Sequence, residues 1–281
     1  VFTQLDEKFS EAENNSAVKA IAFQGAGKAF VAGADIRYFV NNIKNDKIAD
    51  TVQFTREGHE LFLRIENCAK LTIAVLDGLS LGGGSELALA CQAIVATPAG
   101  SMGFPETGIG IYPGLGGMLR LALQVGLDLA KYYVLTGKPI SAKAASELGI
   151  VTKLVGPAEM ELTINELISR GKPDKYRQRD IPGHFNQFSA ICSAKNIESV
   201  LARQAPKGID NELAAKTAKT LVSKAPLALK VTNEIMDQQQ GKSMSEAIEI
   251  ELGRLMEIFS TEDALLGLSS MGRKASEYKG V

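Results

Sequence analysis

Three segments of the chain combine residues of reactive type with glycines. The first is Leu81-Gly82-Gly83-Gly84-Ser85-Glu86-Leu87-Ala88-Leu89-Ala90-Cys91. Three consecutive glycines at the mouth of a small-residue helix leave backbone N–H groups unshielded, and glycine allows both a tight turn and the close approach of a ligand. Together with the helix dipole, these amides make an electropositive pocket for an anion or a developing oxyanion. Glu86 follows Gly83 by about one helical turn, so its carboxylate can face the same pocket. A plainer reading stands beside this one: the glycines let a helix pack on a sheet, and Glu86 stabilises the helix N-terminus.

The second segment is Met102-Gly103-Phe104-Pro105-Glu106-Thr107-Gly108-Ile109-Gly110, followed by Pro113-Gly114-Leu115-Gly116-Gly117. A carboxylate after a proline and between glycine turns sits on a rigid loop, where catalytic groups are often displayed; a solvated turn carboxylate is the alternative. If Glu86 and Glu106 converge, they can share a water and run paired acid–base chemistry.

The third segment is Gly25-Ala26-Gly27-Lys28-Ala29-Phe30-Val31-Ala32-Gly33-Ala34-Asp35-Ile36. A phosphate-binding Walker loop would need glycine at Ala22 and a hydroxyl at Ala29, and a dinucleotide fingerprint would need glycine at Phe30. Both fail. A structural turn or a second backbone donor near Gly33 and Ala34 remains. Other candidates are weaker. His59 lies on an amphipathic helix as a surface or packing residue, no G-x-S-x-G elbow occurs, and Cys91 reads as a packed thiol.

These segments need a scaffold, and the pattern around them supplies one. Val18–Phe23, Leu71–Leu76 and Ala93–Ala96 read as buried strands, while Asp50–Glu66 and Gly84–Cys91 read as helices. Strand alternating with helix predicts an α/β fold with helices covering a mainly parallel sheet. Residues 1–155 form this Gly-rich zone. Residues 156–210 open with a helix and turn basic and broken at Arg170-Gly171-Lys172-Pro173-Asp174-Lys175-Tyr176-Arg177-Gln178-Arg179, which reads as a solvated loop or as a phosphate-contacting surface. Residues 211–281 are predicted to be helical, with amphipathic helices at Asn211–Ser223 and Ser243–Phe259. In the second, Ile248, Leu252, Leu255, Met256 and Phe259 make one apolar stripe of core or interface type, and Glu246, Glu249, Glu251, Arg254 and Glu257 stud the rest of its surface.

Composition excludes several classes. With 45% hydrophobic and 22% charged residues the chain is globular and not disordered. Its longest comparable run, Leu71 to Leu76, is about a strand in length and far short of the roughly 18 residues of a membrane span. Thirty-one basic and 32 acidic residues leave a net charge of -1, which offers no general attraction for nucleic acid. Cys68, Cys91 and Cys192 make no disulfide framework, and with only His59 and His184 no metal site is expected. A reducing intracellular compartment such as the cytoplasm is the expected setting. The first residues, Val1 to Leu5, carry no signal-peptide pattern.

Taken together, F-x-A-G-A-D-[IL], G-G-G-x-E-L-A-L-A-C and G-x-P-E-x-x-x-G-x-x-P-G-x-G-G resemble the crotonase superfamily, the enoyl-CoA hydratases and isomerases. Their order and the 20-residue spacing from Glu86 to Glu106 agree as well. Val134 to Val151 is similar to the family segment that follows. The resemblance implies a spiral of ββα turns with a C-terminal helical region that often builds trimers or multiples of three. It implies that the Ala34 and Gly83 amides form an oxyanion hole for an acyl-CoA thioester, that Glu86 and Glu106 flank a water, and that Ala32, Gly33, Asp35 and Ile36 line the substrate path. Coenzyme A enters as part of the substrate, so no separate cofactor is expected.

Two departures qualify the resemblance. Family members usually carry a strand before the position of Val1, so the chain is expected to be a piece of a longer enzyme, one candidate being a fusion to a hydroxyacyl-CoA dehydrogenase. The segment from about 160 to 210 is an insertion whose tail, Phe188 to Leu201, resembles the 3-hydroxyisobutyryl-CoA hydrolase branch. That branch usually has a non-acidic residue at Glu86 and an Asp at Gly114. The site residues therefore favour a hydratase, with a thioester hydrolase or an isomerase as alternatives and a non-catalytic scaffold last.

Overall fold

The computed structural model describes residues 2–177, 179–270 and 277–281; Gln178 of the basic run and residues 271–276 of the C-terminal region lie outside the described residues. Its strands are β1 (Ala20–Gln24), β2 (Ala29–Val31), β3 (Leu71–Leu76), β4 (Leu79–Leu81), β5 (Ala93–Ala96), β6 (Ser101–Gly103), β7 (Ile140–Ser141) and β8 (Lys153–Leu154). The first six alternate between two sheets, β7 joins β6 in the second, and β8 returns to the first. The first has the order β1-β3-β5-β8 and is parallel throughout; the second has the order β2-β4-β6-β7, with only β7 antiparallel. Ile73 at the middle of β3 pairs with Ala22 on one side and Ala93 on the other. Every residue of β3 and β5 is buried, as strands of a parallel sheet covered on both faces require.

Each of the first three turns of the chain adds one strand to each sheet and then helix, which is the ββα spiral that the resemblance implies, while in the last turn a helix, Ala142–Glu147, stands between β7 and β8. The corners between paired strands stack through glycine. A Cβ on Gly78, at the β3–β4 corner, would come within 2.4 Å of Lys28 O at the corner before it. One on Gly100, at the β5–β6 corner, would come within 2.5 Å of Leu76 O. No larger residue permits that approach.

The helices that position the site are α1 (Phe2–Asn14), α2 (Ile36–Lys44), α3 (Ile48–Asn67), α4 (Gly83–Ala90), α5 (Gly117–Val125) and α6 (Leu127–Thr136). The expected Asp50–Glu66 helix is the greater part of α3. On its outer side α1 docks through Phe9, whose ring stacks on Phe23, and through Asp6 and Glu13, both paired with Arg64. In α4 every residue from Gly84 to Ala90 is buried, so this small-residue helix runs through the centre of the molecule.

Three expectations need correction. The expected Ser243–Phe259 helix is two helices, Met244–Leu252 and Leu255–Phe259, with the chain bending at Gly253 and Arg254. Glu251 does not stud a surface: it is 0% exposed, while Met256 of the apolar stripe stands out at 49%. The basic run is not a uniformly solvated loop. Lys175 Nζ lies 2.9 Å from Glu66 Oε1, Tyr176 donates to the same oxygen, and Lys172 Nζ donates to Cys68 O. Arg120 Nη2 and Nε hold the other oxygen at 2.9 and 3.0 Å. Burial works to raise the Glu66 carboxyl, but Arg120 and Lys175 outweigh it and hold it below the usual range. The run is thus anchored by buried ion pairing, and none of its described residues lines the cavity that holds Glu86 and Glu106.

Candidate active site

A cavity of about 170 Å³ opens where α4, the loop before α2, the Glu106 turn and the Leu255–Phe259 helix meet. Two of its walls follow from local chemistry. Ser85 Oγ accepts the Gly103 N–H and lies 2.9 and 3.0 Å from Ser80 O and Gly103 O, the two acceptors within reach of its one proton, which locks the start of α4 between β4 and β6. A Cβ on Gly84 would lie 2.1 Å from Val31 O, so α4 can sit against β2 only with glycine there. Gly82 precedes the helix at φ 51°, a left-handed conformation that glycine adopts freely.

Glu86 is thereby buried and faces the cavity. Its Oε1 accepts two backbone N–H groups, from Leu115 at 2.7 Å and Gly117 at 3.0 Å. Gly117 comes so close that a Cβ on it would meet Glu86 Cγ at 2.6 Å. The amide between them, Gly116, donates to Glu251 Oε1 at 2.8 Å. Glu251 Oε2 accepts from Gln239 Nε2 at 3.2 Å. His59 is buried beside this carboxylate, its Nε2 3.2 Å from Oε1 but without hydrogen-bond geometry. His59 is therefore a packing residue behind the site.

Glu106 starts a one-turn 3-10 helix, Glu106–Ile109, after Pro105 and before Gly110 at φ 83°. It is 7% exposed, and its Oε1 lies 2.5 Å from where a Cβ on Gly82 would stand, so this oxygen rests against the Gly82 backbone. Its Oε2 is buried with no hydrogen-bond partner among the described residues. A buried carboxylate oxygen left without a donor is unfavourable, and such groups are characteristic of sites that meet a ligand.

Both carboxyls are pushed well above the usual range. For Glu86 burial is the main cause, followed by the charges of Glu106 and Glu251, against the two N–H donors. For Glu106 burial again dominates, opposed by its own backbone and by the Lys224 ammonium. Lys224 is itself buried, which pulls its amine down, while the Glu106 charge pushes it back up.

The cavity brings together Glu86, Glu106, Ala34, Gly83, Ala32, Gly33 and Ile36. Among the described residues no backbone bond engages the Ala34 N–H, and Gly83 occupies the first position of α4, where a helix has no intrahelical acceptor. Asp35 is not a wall residue. Its side chain caps α2 by accepting the Arg37 N–H at 3.1 Å and pairs with the Arg37 guanidinium at 2.8 Å. Cys91 and Cys192 are buried, and burial pushes the Cys91 thiol up to about 12, far from a thiolate. Among the described residues no three His, Cys, Asp or Glu side chains are grouped to hold a metal, and no helix is long and apolar enough to cross a membrane.

Sequence reasoning missed the far wall and the outer charges. Phe39, Phe54 and Phe259 close the apolar end, with Phe39 ring centroids 6.3 Å from Phe54 and 5.4 Å from Phe259. Leu255 and Phe259 had the spacing of an ordinary core stripe, which is also the spacing of a pocket wall. Glu251 and Lys224 carried no local signal at all.

The sequence model of the enoyl-CoA hydratase/isomerase family matches residues 1–271. The chain is 38% identical over 168 residues to a short-chain-enoyl-CoA hydratase of Clostridium acetobutylicum, a match covering 59% of this chain and 63% of that protein. It thus spans less than two thirds of the length of that relative. A probable enoyl-CoA hydratase of Bacillus subtilis is 30% identical over 281 residues, covering 100% of this chain and 89% of its own length. Among solved structures, an enoyl-CoA hydratase from Rhodobacter sphaeroides shares the fold with a TM-score of 0.82 at 21% identity, covering 99% of this chain and 84% of that one.

Proposed function

Because the chain belongs to the enoyl-CoA hydratase/isomerase family, we propose that it acts as a hydro-lyase, adding water reversibly across the double bond of a trans-2-enoyl-CoA. One observation carries this reading: two buried carboxyls, Glu86 and Glu106, share one cavity with the unengaged N–H groups of Ala34 and Gly83. As hydroxide adds at Cβ, negative charge develops on the thioester oxygen. The Ala34 and Gly83 amides receive it without reorganising, and losing one such donor costs about 3–4 kcal/mol.

Glu86 holds and deprotonates the attacking water, while Glu106 shares that water and delivers a proton to Cα. Glu86 gains the proton that the water loses as Glu106 gives its own to Cα, so the pair holds the same number of protons at the end of each turnover as at its start, with the proton moved from Glu106 to Glu86. Two carboxyls in one cavity do not both ionise freely, and their titration belongs to the pair. Ala32, Gly33 and Ile36 line the acyl-CoA path, with Asp35 acting through its cap on α2. Coenzyme A arrives on the substrate, and no step calls for another cofactor. The family reading extends to a homo-oligomer built on threes and to residues 1–155 as catalytic core, 156–210 as insertion and 211–281 as helical region.

Crotonyl-CoA tests the reading. Loss of the conjugated-enoyl absorbance without release of free thiol is the expected result. Thiol release from a 3-hydroxyacyl-CoA would instead assign the thioester hydrolase that the insertion resembles, and neither signal would leave a scaffold.

A further inference from the structure

Two buried charges of opposite sign, both from the C-terminal helical region, flank the carboxyl pair. Lys224 lies between the helices Asn211–Val222 and Pro226–Gln238 and is 8% exposed. Its Nζ fills the space where side chains on Gly108 and Gly137 would begin: Cβ atoms there would stand 3.2 and 2.7 Å from it. Gly108 belongs to the same short turn as Glu106, so the ammonium rests on the turn that holds this carboxyl. Glu251 lies on the other side. It takes the Gly116 N–H, the amide between the two that Glu86 takes.

Other titratable groups lie nearby, and Tyr112, on the cavity wall, donates its hydroxyl to Glu251 O. His59 and Gln239 face Glu251. Arg120, whose guanidinium approaches Gly116, is held by Glu66 and by Leu115 O. Asp263 binds the Lys279 and Gly280 amides, and Tyr278 donates to Gly108 O.

We infer that Lys224 and Glu251 are positioning residues that polarise the pair from opposite sides, so that its single proton rests on Glu86 and its negative charge on Glu106. The ammonium favours charge on the carboxyl whose turn it touches. The second carboxylate disfavours charge on the carboxyl with which it divides a loop. The directions at the two groups agree: the charges of Glu106 and Glu251 push Glu86 further up, whereas Lys224 pulls Glu106 down. The resting pair is therefore set to remove a Cα proton with Glu106 and to protonate the departing hydroxyl with Glu86. Hydration begins from the other tautomer, reached when the proton passes between the two carboxyls through the shared water.

This inference rests on the acid–base reading of the pair, and the pH profile of kcat/KM for crotonyl-CoA tests it. The acid limb then reports ionisation of Glu106 in the free enzyme and the alkaline limb that of Glu86. Lys224→Met should move the acid limb up by about one pH unit, and Lys224→Arg should restore it. Glu251→Gln, which keeps an oxygen for the Gly116 amide, should move the alkaline limb down by a similar amount. A limb that stays still or moves the other way in a folded variant overturns the inference. If Glu251→Gln does not fold, the Lys224 arm decides alone. An active Glu106→Gln would instead overturn the acid–base reading, while an inactive Glu106→Gln with unmoved limbs in the other variants overturns only this inference.

Discussion

Glu86 and Glu251 divide three consecutive backbone amides between them: Leu115 and Gly117 donate to Glu86 Oε1 at 2.7 and 3.0 Å, and Gly116 donates to Glu251 Oε1 at 2.8 Å. The loop before α5 is thus held by one carboxyl from the glycine-rich helix and one from the C-terminal helices. Arg120 ties the same loop from behind, joining Leu115 O to Glu66 and through it to Lys175 and Tyr176. The orientation of Glu86 therefore depends on three distant stretches of chain.

Glu106→Gln should lower hydration of crotonyl-CoA by about 10²–10⁴-fold with little change in acyl-CoA affinity, since it removes proton transfer and keeps side-chain shape. Steady-state kinetics with a binding titration checks this. Turnover within a few-fold of wild type would remove Glu106 from the chemistry.

Neighbouring glycines should respond differently. Gly83→Ala adds a Cβ at an ordinary 3.5 Å from Leu115 Cδ1 and should fold well, whereas Gly84→Ala places one 2.1 Å from Val31 O and should destabilise by about 3 kcal/mol or more. Gly83→Pro is the sharper probe. Proline is tolerated at the first position of a helix but lacks the N–H, so the variant should melt near wild type and lose about 10²–10³ in kcat. Chemical denaturation and kinetics on the three variants separate packing from oxyanion stabilisation.

Stability should depend on pH through the buried carboxyls. Glu106 titrates near 4.5 when unfolded and higher when folded, so the folded state holds more protons between those values. Stability contributed by this group then falls as pH rises above about 4.5, by up to about 1.4 kcal/mol per unit until the folded group ionises. Glu106→Gln cannot titrate. Its melting temperature should match wild type near pH 4 and exceed it increasingly toward pH 8. Parallel thermal melts across that range test the sign.

The Glu66 cluster predicts an asymmetry. Glu66→Gln leaves Arg120 and Lys175 as two buried cations and should cost about 3–5 kcal/mol, whereas Lys175→Met leaves Glu66 paired with Arg120 and should cost less. Because Glu66 is held low when folded, its contribution is present above about pH 4.5 and is lost as pH falls through the lowered value. The KM of Lys175→Met for acyl-CoA should change little with salt, since the residue is buried in this cluster. A strong salt effect on KM would return it to the substrate.

The elements legible in the sequence are those whose pattern is long and uniform. Leu71–Leu76 and Ala93–Ala96 have the boundaries read from their apolar runs, because a strand covered on both faces needs apolar residues at every position. Strands β2, β4, β6, β7 and β8 span two or three residues each, too few for any period to show. The bend at Gly253 and Arg254 was hidden because the apolar spacing continues across it.

The sequence by itself brought forward Glu86 and Glu106, because glycine- and proline-lined turns announce them locally, and the family resemblance added the amides of Ala34 and Gly83; these are the groups on which the proposed function rests. Tertiary structure alone decided that these groups face one cavity, that Phe39, Phe54 and Phe259 close its end, and that Lys175 is buried against Glu66 rather than solvated. It also decided that Glu251 and Lys224 stand behind the two carboxyls. Burial of a charge is a property of what packs around it, and the packing partners here lie far along the chain, where no local pattern records them.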